Sequence, residues 1–281
     1  MIEIEGLSFT YRTGEADAVP ALRDLDFKIG PGQFVAIIGH NGSGKSTLVK
    51  LLTAVLYPTQ GEIRIEGVPV DHEHQWEVRR KVSVVFQDPD DQLVMNRVED
   101  DVAFGPENLG LPREEISERV ESSLEALALG RIRERLIEDL SSGQKQSVAI
   151  AGALAMRPRF LILDEPTSLL PVPVAMRLIS TVRELNREGD MGVLHITHSM
   201  YEATLFDRVV VMDEGRVVLD GTPAEVFRNV EKLREVGLDV PLAASLARRL
   251  RARGVPIEED VLNTADLRAA VSAAVDSSLS G

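Results

Sequence analysis

The chain has 281 residues, 44% of them hydrophobic, which is enough to bury one large core or two linked ones. Lys and Arg together number 31 and Asp and Glu 45, so the formal net charge is −14, which disfavours a general affinity for nucleic acid or anionic lipid. The sequence contains no cysteine, and this excludes disulfides, thiolate metal sites and cysteine nucleophiles.

The N-terminal part of the chain shows strand patterns and one helical segment. Its first residues are acidic and alternate apolar with polar side chains, which is typical of a half-buried strand and not of a signal peptide. A helical segment follows the apolar run 34–38 and is expected to stop at Pro58 and Gly61. The sequence predicts strands at 2–10, 21–29, 34–38, 62–66 and 81–86, and a helix at 46–56.

Residues from about 88 to 156 show helical periodicity, with Pro106, Pro112 and Gly130 as expected breakers. Even the long apolar stretch at 148–156 falls short of the roughly 18 residues that a membrane-spanning helix needs. Strand patterns then resume, so a helical block interrupts a sheet core. We expect strands at 160–163, 193–197, 208–212 and 216–219, helices at 242–253 and 265–274, and a frayed tail at 277–281.

The segment GHNGSGKST at residues 39–47 directly follows the predicted strand 34–38 and leads into the predicted helix. In a phosphate-binding loop of this kind, backbone N–H groups and the positive end of the helix hold phosphate oxygens. Lys45 is expected to reach the outer phosphates, Ser46 to complete the coordination of Mg²⁺, and Thr47 to lie against the inner phosphate. The motif predicts a nucleoside triphosphate site made of Gly39, His40, Asn41, Gly42, Ser43, Gly44, Lys45, Ser46 and Thr47.

Two acidic residues, Asp164 and Glu165, follow the apolar run 160–163 at the end of a predicted strand. Beside a phosphate-binding loop, the first is expected to hold Mg²⁺ and the second to act as general base for an attacking water. An acidic strand end that caps a neighbouring helix is the structural alternative. His198 follows another apolar strand at the carboxyl end, where α/β sheets bind ligands, although a single histidine is more often structural.

With these motifs the chain resembles the ATP-binding cassette (ABC) family over residues 1–228. It carries a signature-like Leu-Ser-Ser-Gly-Gln at 140–144, the run Asp-Glu-Pro-Thr-Ser at 164–168, and Gln87 after a strand. The resemblance implies an α/β fold, a P-loop NTPase core with an antiparallel β subdomain and an inserted helical subdomain at about 88–156. It also implies that two cassettes close head to tail over two ATP molecules.

The resemblance assigns roles to single residues. Tyr11 matches the aromatic ring that lies against adenine, with an ordinary strand-end tyrosine as the alternative. The implied catalytic residues are Glu165, His198 and Gln87. The implied Mg²⁺ ligands are Ser46, Gln87 and Asp164. The residues implied to cap the γ-phosphate of the opposite cassette are Ser141, Gly143 and Gln144.

A closer similarity is to the ATPase subunits of energy-coupling factor (ECF) importers, which take up vitamins or transition-metal ions. The matching segments are residues 86–92, 98–112 and 237–242. This similarity implies a peripheral subunit at the cytoplasmic face of the cell membrane, without a nucleic-acid partner. It implies a homodimer or heterodimer with a second ABC ATPase subunit, a transmembrane coupling subunit and a separate substrate-binding membrane subunit. Residues 229–281 match the C-terminal extension through which such subunits pair.

The acids Asp88, Asp90 and Asp91 suit a helix of the coupling subunit that carries arginines, with a solvated loop as the alternative. Such a helix docks beside the glutamine loop in the ECF family. The acidic loop is therefore the predicted contact with the membrane partner.

Three positions depart from the family pattern. Ser142 stands at the first glycine of the signature, Ser147 at a usual arginine, and Pro171 near an expected aspartate. We expect Ser142 to crowd the γ-phosphate or to lose a positive φ, and Pro171 with Pro173 to stiffen the interface loop. Two alternatives to a motor subunit stay open: a regulatory or pairing subunit with an impaired composite site, and a soluble ABC ATPase not tied to transport.

Overall fold

The computed structural model describes residues 1–12, 14, 18–258 and 260–279. Its strands are β1 (Ile2–Tyr11), β2 (Val19–Ile29), β3 (Phe34–Ile38), β4 (Gln60–Ile65), β5 (Val68–Pro69), β6 (Val82–Val85), β7 (Phe160–Asp164), β8 (Gly192–Ile196), β9 (Arg208–Asp213) and β10 (Arg216–Gly221). Its helices are α1 (Lys45–Leu52), α2 (Gln75–Lys81), α3 (Val98–Asn108), α4 (Arg113–Ala126), α5 (Ser142–Ala155), α6 (Val172–Glu188), α7 (Met200–Ala203), α8 (Pro223–Arg228), α9 (Val230–Glu235), α10 (Leu242–Arg251) and α11 (Thr264–Leu279).

Two sheets organise these elements. The first is antiparallel with the order β2-β1-β4-β5, and the second has the order β10-β9-β3-β8-β7-β6. Within the second sheet β6, β7, β8, β3 and β9 run parallel, and β10 is antiparallel to β9. Parallel strands share one carboxyl edge, so the segments that follow β3, β7 and β8 meet at that edge.

The second sheet separates two apolar cores because side chains alternate along a strand. In β3, Val35 and Ile37 point into the core shared with the antiparallel sheet, which contains Ile4 and Leu25. The other β3 side chains point into the core on the opposite face, where α5, α6 and α8 pack. A strand buried on both faces is rigid, which fixes the start of the loop after it.

The helical block packs around a core of its own. Val98 and Val102 of α3, Leu124 of α4 and Val148 of α5 are buried together. None of the described helices combines the length and the apolar character that crossing a bilayer requires. The predicted α/β class and the helical insertion are both confirmed.

Three local predictions were wrong. α1 ends at Leu52 rather than at residue 56, because Ala54 takes a left-handed φ of 53° and closes the helix before Pro58. Pro106 lies inside α3 and does not break it, because the helix ends at Asn108 and loses only one backbone bond. The helices α2, α6, α7, α8 and α9 lie in segments where no helix was predicted.

The side chains of the C-terminal segment pack in two different apolar cores. Val230, Leu233 and Val240 belong to the core of the main sheet, whereas a separate small core begins at Ala243, between α10 and α11. The predicted boundary at 228/229 thus precedes a stretch that packs on the ATPase core, and the two-domain division stays a prediction. α11 reaches Leu279, into the segment expected to fray, and residues 280 and 281 lie outside the described residues.

Candidate nucleotide-binding and hydrolysis site

The loop between β3 and α1 has a backbone that only glycine fits. Gly42 and Gly44 have φ values of 86° and 103°, in the left-handed region. A Cβ on Gly44 would lie 2.7 Å from Leu22 Cδ2 and 2.8 Å from Ala21 O, and a Cβ on Gly39 would lie 2.4 Å from Met212 O. The loop is therefore held against β2 and β9, and the anion cradle that the motif implies stays a prediction.

Lys45 lies inside this loop. It is 5% exposed, and its Nζ donates hydrogen bonds to Gly39 O at 2.8 Å and His40 O at 3.0 Å. Burial lowers the pKa of Lys45, and the nearby carboxylates of Glu165 and Asp164 partly oppose this shift. The ammonium group thus stands between the phosphate loop and the two acids.

The loop residue His40 ties the phosphate loop to the end of β9. His40 Nε2 lies 2.7 Å from Asp213 Oδ1 at the end of β9, and its Nδ1 lies 2.6 Å from Asn41 O. Both ring nitrogens face acceptors, and these contacts raise the pKa of His40. Gly215 N, just beyond Asp213, donates to Ser43 O at 3.1 Å. The sequence did not reveal this support, because 173 residues separate His40 from Asp213.

Asp164, Glu165 and His198 lie together at the carboxyl edge of the parallel strands. Glu165 has a left-handed φ of 52°, and its N–H donates to Ile196 O at 3.0 Å. His198 Nε2 lies 2.6 Å from Glu165 Oε1. Burial, with the neighbouring charge of Glu165, raises the pKa of Asp164, while Lys45 opposes the shift. The unusual backbone of Glu165 turns its carboxylate towards His198, away from the direction that a continuing strand would give it.

Mg²⁺ binding at this edge stays a prediction, and the described residues offer few side-chain oxygens for it. Among the described residues no group of three or more His, Cys, Asp or Glu side chains could hold a metal ion. Ser46 presents an exposed hydroxyl beside Lys45, and Asp164 shares an open cleft with Gln87. A hard cation of this kind takes few protein oxygens and completes its octahedron with phosphate oxygens and waters.

Tyr11 lies at the same side of the molecule as the phosphate loop. Its hydroxyl is 3.2 Å from Thr47 Oγ1 in α1, and its ring meets the edge of Phe9 at a centroid distance of 4.9 Å. The hydroxyl contact fixes the ring beside the residue expected at the inner phosphate. The ring is thus close enough to the loop for the adenine role that the resemblance implies.

The signature residues lie apart from this edge. Ser141, Gly143 and Gln144 line a cleft together with Ser142 and Pro171, between α5 and the start of α6. Ser141 and Gln144 form a capping box: Gln144 N donates to Ser141 Oγ at 3.4 Å, and Ser141 N donates to Gln144 Oε1 at 3.0 Å. Lys45 and Glu165 do not line this cleft, which is the separation expected for residues that complete the site of another cassette.

The departures are accommodated locally. Ser142 is the first residue of α5 and is not among the residues with positive φ, so the expected loss of a positive φ was wrong. Ser147 Oγ donates to Gly143 O at 2.9 Å, one turn earlier in the same helix. Pro171 caps α6, and its carbonyl accepts from Val174 N and Ala175 N. These side chains face the open cleft.

The acidic loop is partly neutralised by the chain itself. Asp90 Oδ1 lies 2.6 Å from Lys145 Nζ in α5, and Asp88 Oδ1 accepts from Asp90 N at 3.0 Å. Asp91 makes no side-chain hydrogen bond or ion pair with any residue that the structure describes, and it lines the cleft with Gln87. Contact of these acids with an arginine-bearing helix of a partner stays a prediction, and Asp91 is the acid without a competing contact among the described residues.

Comparison with known proteins identifies the family to which the chain belongs. A family model for the ABC transporter matches residues 22–168. The chain is 48% identical to the energy-coupling factor transporter ATP-binding protein EcfA1 of Caldanaerobacter subterraneus subsp. tengcongensis, over 95% of this chain and 97% of the relative. It is 50% identical to the EcfA1 of Symbiobacterium thermophilum, over 95% of this chain and 94% of the relative.

Solved structures agree with these relatives. The structure of cbiO1 from Clostridium perfringens, part of the ABC transporter complex cbiONQ, matches with a TM-score of 0.75 and 37% identity, over 84% of this chain and 93% of that one. An ATP-binding cassette in a dimeric post-hydrolysis state with ADP and Pi matches with a TM-score of 0.71 and 29% identity, over 79% of this chain and 99% of that one. The chain therefore belongs to the ABC transporter family, as an ATP-hydrolysing subunit of the energy-coupling factor type.

Proposed function

We propose that this chain is the motor subunit of an ECF importer at the cytoplasmic face of the membrane. ATP binding closes it onto a second ATPase subunit, and hydrolysis opens the pair, which drives uptake of a vitamin or a transition-metal ion through separate membrane subunits. The observation that carries this proposal is the contact of Glu165 with His198, beside Lys45 and Asp164. That arrangement combines an oriented carboxylate with a cation and a metal-binding acid at one sheet edge.

In this proposal Lys45 binds the outer phosphates, and Ser46 with Asp164 holds Mg²⁺, which neutralises developing charge on the phosphates. Release of Lys45 from Gly39 O and His40 O is then compensated by phosphate oxygens, which bind the ammonium more strongly than neutral carbonyls do. Gln87 reaches the same cleft as Asp164 and orients the attacking water.

Glu165 is the proposed general base. Its carboxylate accepts a proton from water as the oxygen attacks the γ-phosphate, and His198 holds that carboxylate in place. The exposed position of His198 at the sheet edge leaves its ring accessible to the γ-phosphate. The pair thus assigns one residue to proton transfer and the other to orientation.

The second subunit completes the site in this proposal. Ser141 and Gly143 face solvent at the start of α5, whose positive end is available to the phosphate bound by the opposite subunit. Leu242 and Leu246 of α10 are 82% and 43% exposed and support pairing through the C-terminal extension. Loss of the nucleotide-free dimer in a Leu242→Glu variant, measured by light scattering, is the expected result, and an unchanged dimer would remove this role.

The impaired-site alternative rests on one observation, the grouping of Ser142, Ser147 and Pro171 at the signature cleft. These residues belong to the surface that completes the opposite site. The alternative therefore concerns the partner's hydrolysis and leaves the roles proposed for Lys45 and Glu165 unchanged.

The test is Glu165→Gln, which keeps the size and hydrogen bonds of the side chain but removes the base. We expect ATP affinity by calorimetry to stay within about two-fold, and hydrolysis by the assembled transporter to fall by a factor on the order of 10² or more. Glu188→Gln, on the exposed end of α6, is the matched control and should keep the parent rate. Parent-level turnover in Glu165→Gln would contradict the proposal.

A further inference from the structure

A buried carboxylate outside the proposed catalytic set joins the two loops of the site. Glu202 in α7 is 7% exposed, and its Oε2 lies 2.7 Å from Thr197 Oγ1, 2.9 Å from Thr167 Oγ1 and 3.1 Å from His195 Nε2. The two hydroxyls donate to the carboxylate, and the imidazole donates through Nε2. One oxygen thus receives three hydrogen bonds, two from the end of β8 and the residue after it and one from the loop after β7.

The protein keeps this carboxylate charged. Burial by itself raises the pKa of Glu202, but the hydrogen bonds and charge of His195 and the bonds from Thr197 and Thr167 outweigh it, and the pKa is lowered overall. A buried charge is strongly unfavourable without partners, so each donor is held firmly in place. Charge-assisted bonds of this kind are shorter and stronger than neutral ones.

The donors lie next to the residues proposed for hydrolysis. Thr197 directly precedes His198, and Thr167 follows Glu165 by two positions. Glu165 N donates to Ile196 O, which joins the segment after β7 to the end of β8, and Ser199 N donates to Thr197 Oγ1 at 3.0 Å within the loop after β8. Glu202 thus adds a buried connection between these two loops to the contact of His198 with Glu165.

The loop of Thr167 also leads to the partner-facing surface. Leu170 N donates to Thr167 O at 3.0 Å, and Leu169 and Pro171 line the signature cleft. A displacement of this loop by a second subunit would therefore reach Thr167, and through Glu202 it would reach Thr197 and His198. The bonds of Glu202 with Thr167 and Thr197 are buried, and the link from Thr167 to the cleft is a backbone bond at a half-buried residue.

We propose that Glu202 is a positioning residue that holds Glu165 and His198 in the geometry for hydrolysis, and that Thr167 links this geometry to the partner-facing loop. The inference rests on the proposed function of Glu165 and His198. Glu202 does not touch the nucleotide in this account. It acts through the two loops that it joins.

The test uses Glu202→Gln and Thr167→Val in the assembled transporter. Glu202→Gln removes the charge at constant size, and Thr167→Val removes one donor at constant shape. We expect kcat to fall roughly ten-fold in each, because small misplacements of catalytic groups are costly, while KM for ATP changes by less than about two-fold. Thr167→Ser retains the hydroxyl and should restore the parent kcat.

Two controls separate positioning from general stability. Glu225→Gln removes a carboxylate that accepts from Thr222 N at 2.8 Å and Thr222 Oγ1 at 2.9 Å at another helix start, and should leave kcat unchanged. In a Glu165→Gln background, adding Glu202→Gln should cause much less than a further ten-fold loss, because one of the two groups being positioned is already absent. A full additional ten-fold loss there would overturn the inference.

Other results decide the remaining cases. If Glu165→Gln keeps the parent rate, the proposed function fails, and this inference fails with it. If Glu165→Gln is inactive while Glu202→Gln and Thr167→Val turn over at the parent rate, the inference alone is wrong. If Glu202→Gln does not fold, Thr167→Val decides: an unchanged kcat, or a loss that Thr167→Ser does not restore, overturns it.

Discussion

The phosphate-binding edge and the signature cleft are built in opposite ways. At the edge, Lys45 is 5% exposed and bonded to the loop that surrounds it, and Gly39 and Gly44 leave no room for a side chain. At the cleft, Leu169 is 57% exposed, and Ser142 and Pro171 are also exposed. The first region is held in place by contacts within its own chain, and the second presents exposed side chains.

This difference teaches how the two halves of a composite site are divided. In the proposed function, a group that binds phosphate in every state lies on a backbone that the fold already holds in place, which lowers the cost of ordering on binding. A group that acts only when a second subunit arrives stays exposed, with its bonds confined to one helix. Substitutions at the edge should therefore disturb the isolated chain, and those at the cleft should disturb only the assembly.

The largest expected effect is that of Gly44→Ala. The added Cβ combines a φ of 103° with approaches of 2.7 Å and 2.8 Å to Leu22 and Ala21, so the free energy of unfolding should fall by about 3 kcal/mol. Gly67→Ala has a φ of 78° and open space around it, and should lose only about 1 kcal/mol. Denaturant unfolding of the isolated chain measures both.

Gly143, at the signature cleft, is the position to compare with Gly44. A Cβ on Gly143 would meet only the end of the Val174 side chain, at 3.0 Å, and its backbone is helical. Gly143→Ala should therefore unfold close to the parent in the isolated chain. Equal losses in Gly44→Ala and Gly143→Ala would contradict the distinction between the two regions.

The next effect concerns the acidic loop and the membrane partner. Because Asp90 is paired with Lys145 and Asp91 has no side-chain partner among the described residues, Asp91→Lys should weaken capture of an arginine-bearing coupling helix about ten-fold. Asp90→Lys should weaken capture less, and ATP binding should be unchanged in both. A pull-down of the membrane subunits at two salt concentrations measures this. Equal effects of the two reversals would show that the pairing with Lys145 does not matter.

The smallest effect is expected from the departures. Ser142→Gly with Pro171→Asp should raise turnover of a homodimer a few-fold, because only the surface that completes the opposite site changes. In a heterodimer the gain should depend on the partner's catalytic glutamate and not on Glu165. Hydrolysis is compared for parent and restored chains, each with an intact or glutamate-to-glutamine partner. Equal rates throughout would show that both residues are tolerated, and the impaired-site alternative would be dropped.

Local patterns predicted the strands well and the helix ends poorly. β3 matches its predicted range because its apolar run is uninterrupted, whereas the end of α1 depends on the left-handed turn at Ala54, which has no signal in an alanine. The contact of the P-loop residue His40 with Asp213 was not predictable either. Its members are far apart in sequence and ordinary in type.

The sequence by itself was enough to predict the phosphate loop, the acid pair and the position of His198 at a strand end, because each is a local motif with a required order of strand, loop and helix. Only the tertiary structure decided that His198 contacts Glu165, that Lys145 neutralises Asp90, and that Glu202 is buried under both catalytic loops. The physical reason is that parallel pairing brings distant strand ends to one edge, and burial then selects which polar groups must find partners there. The sequence alone does not tell whether a carboxylate will accept its hydrogen bonds from water or from a hydroxyl group.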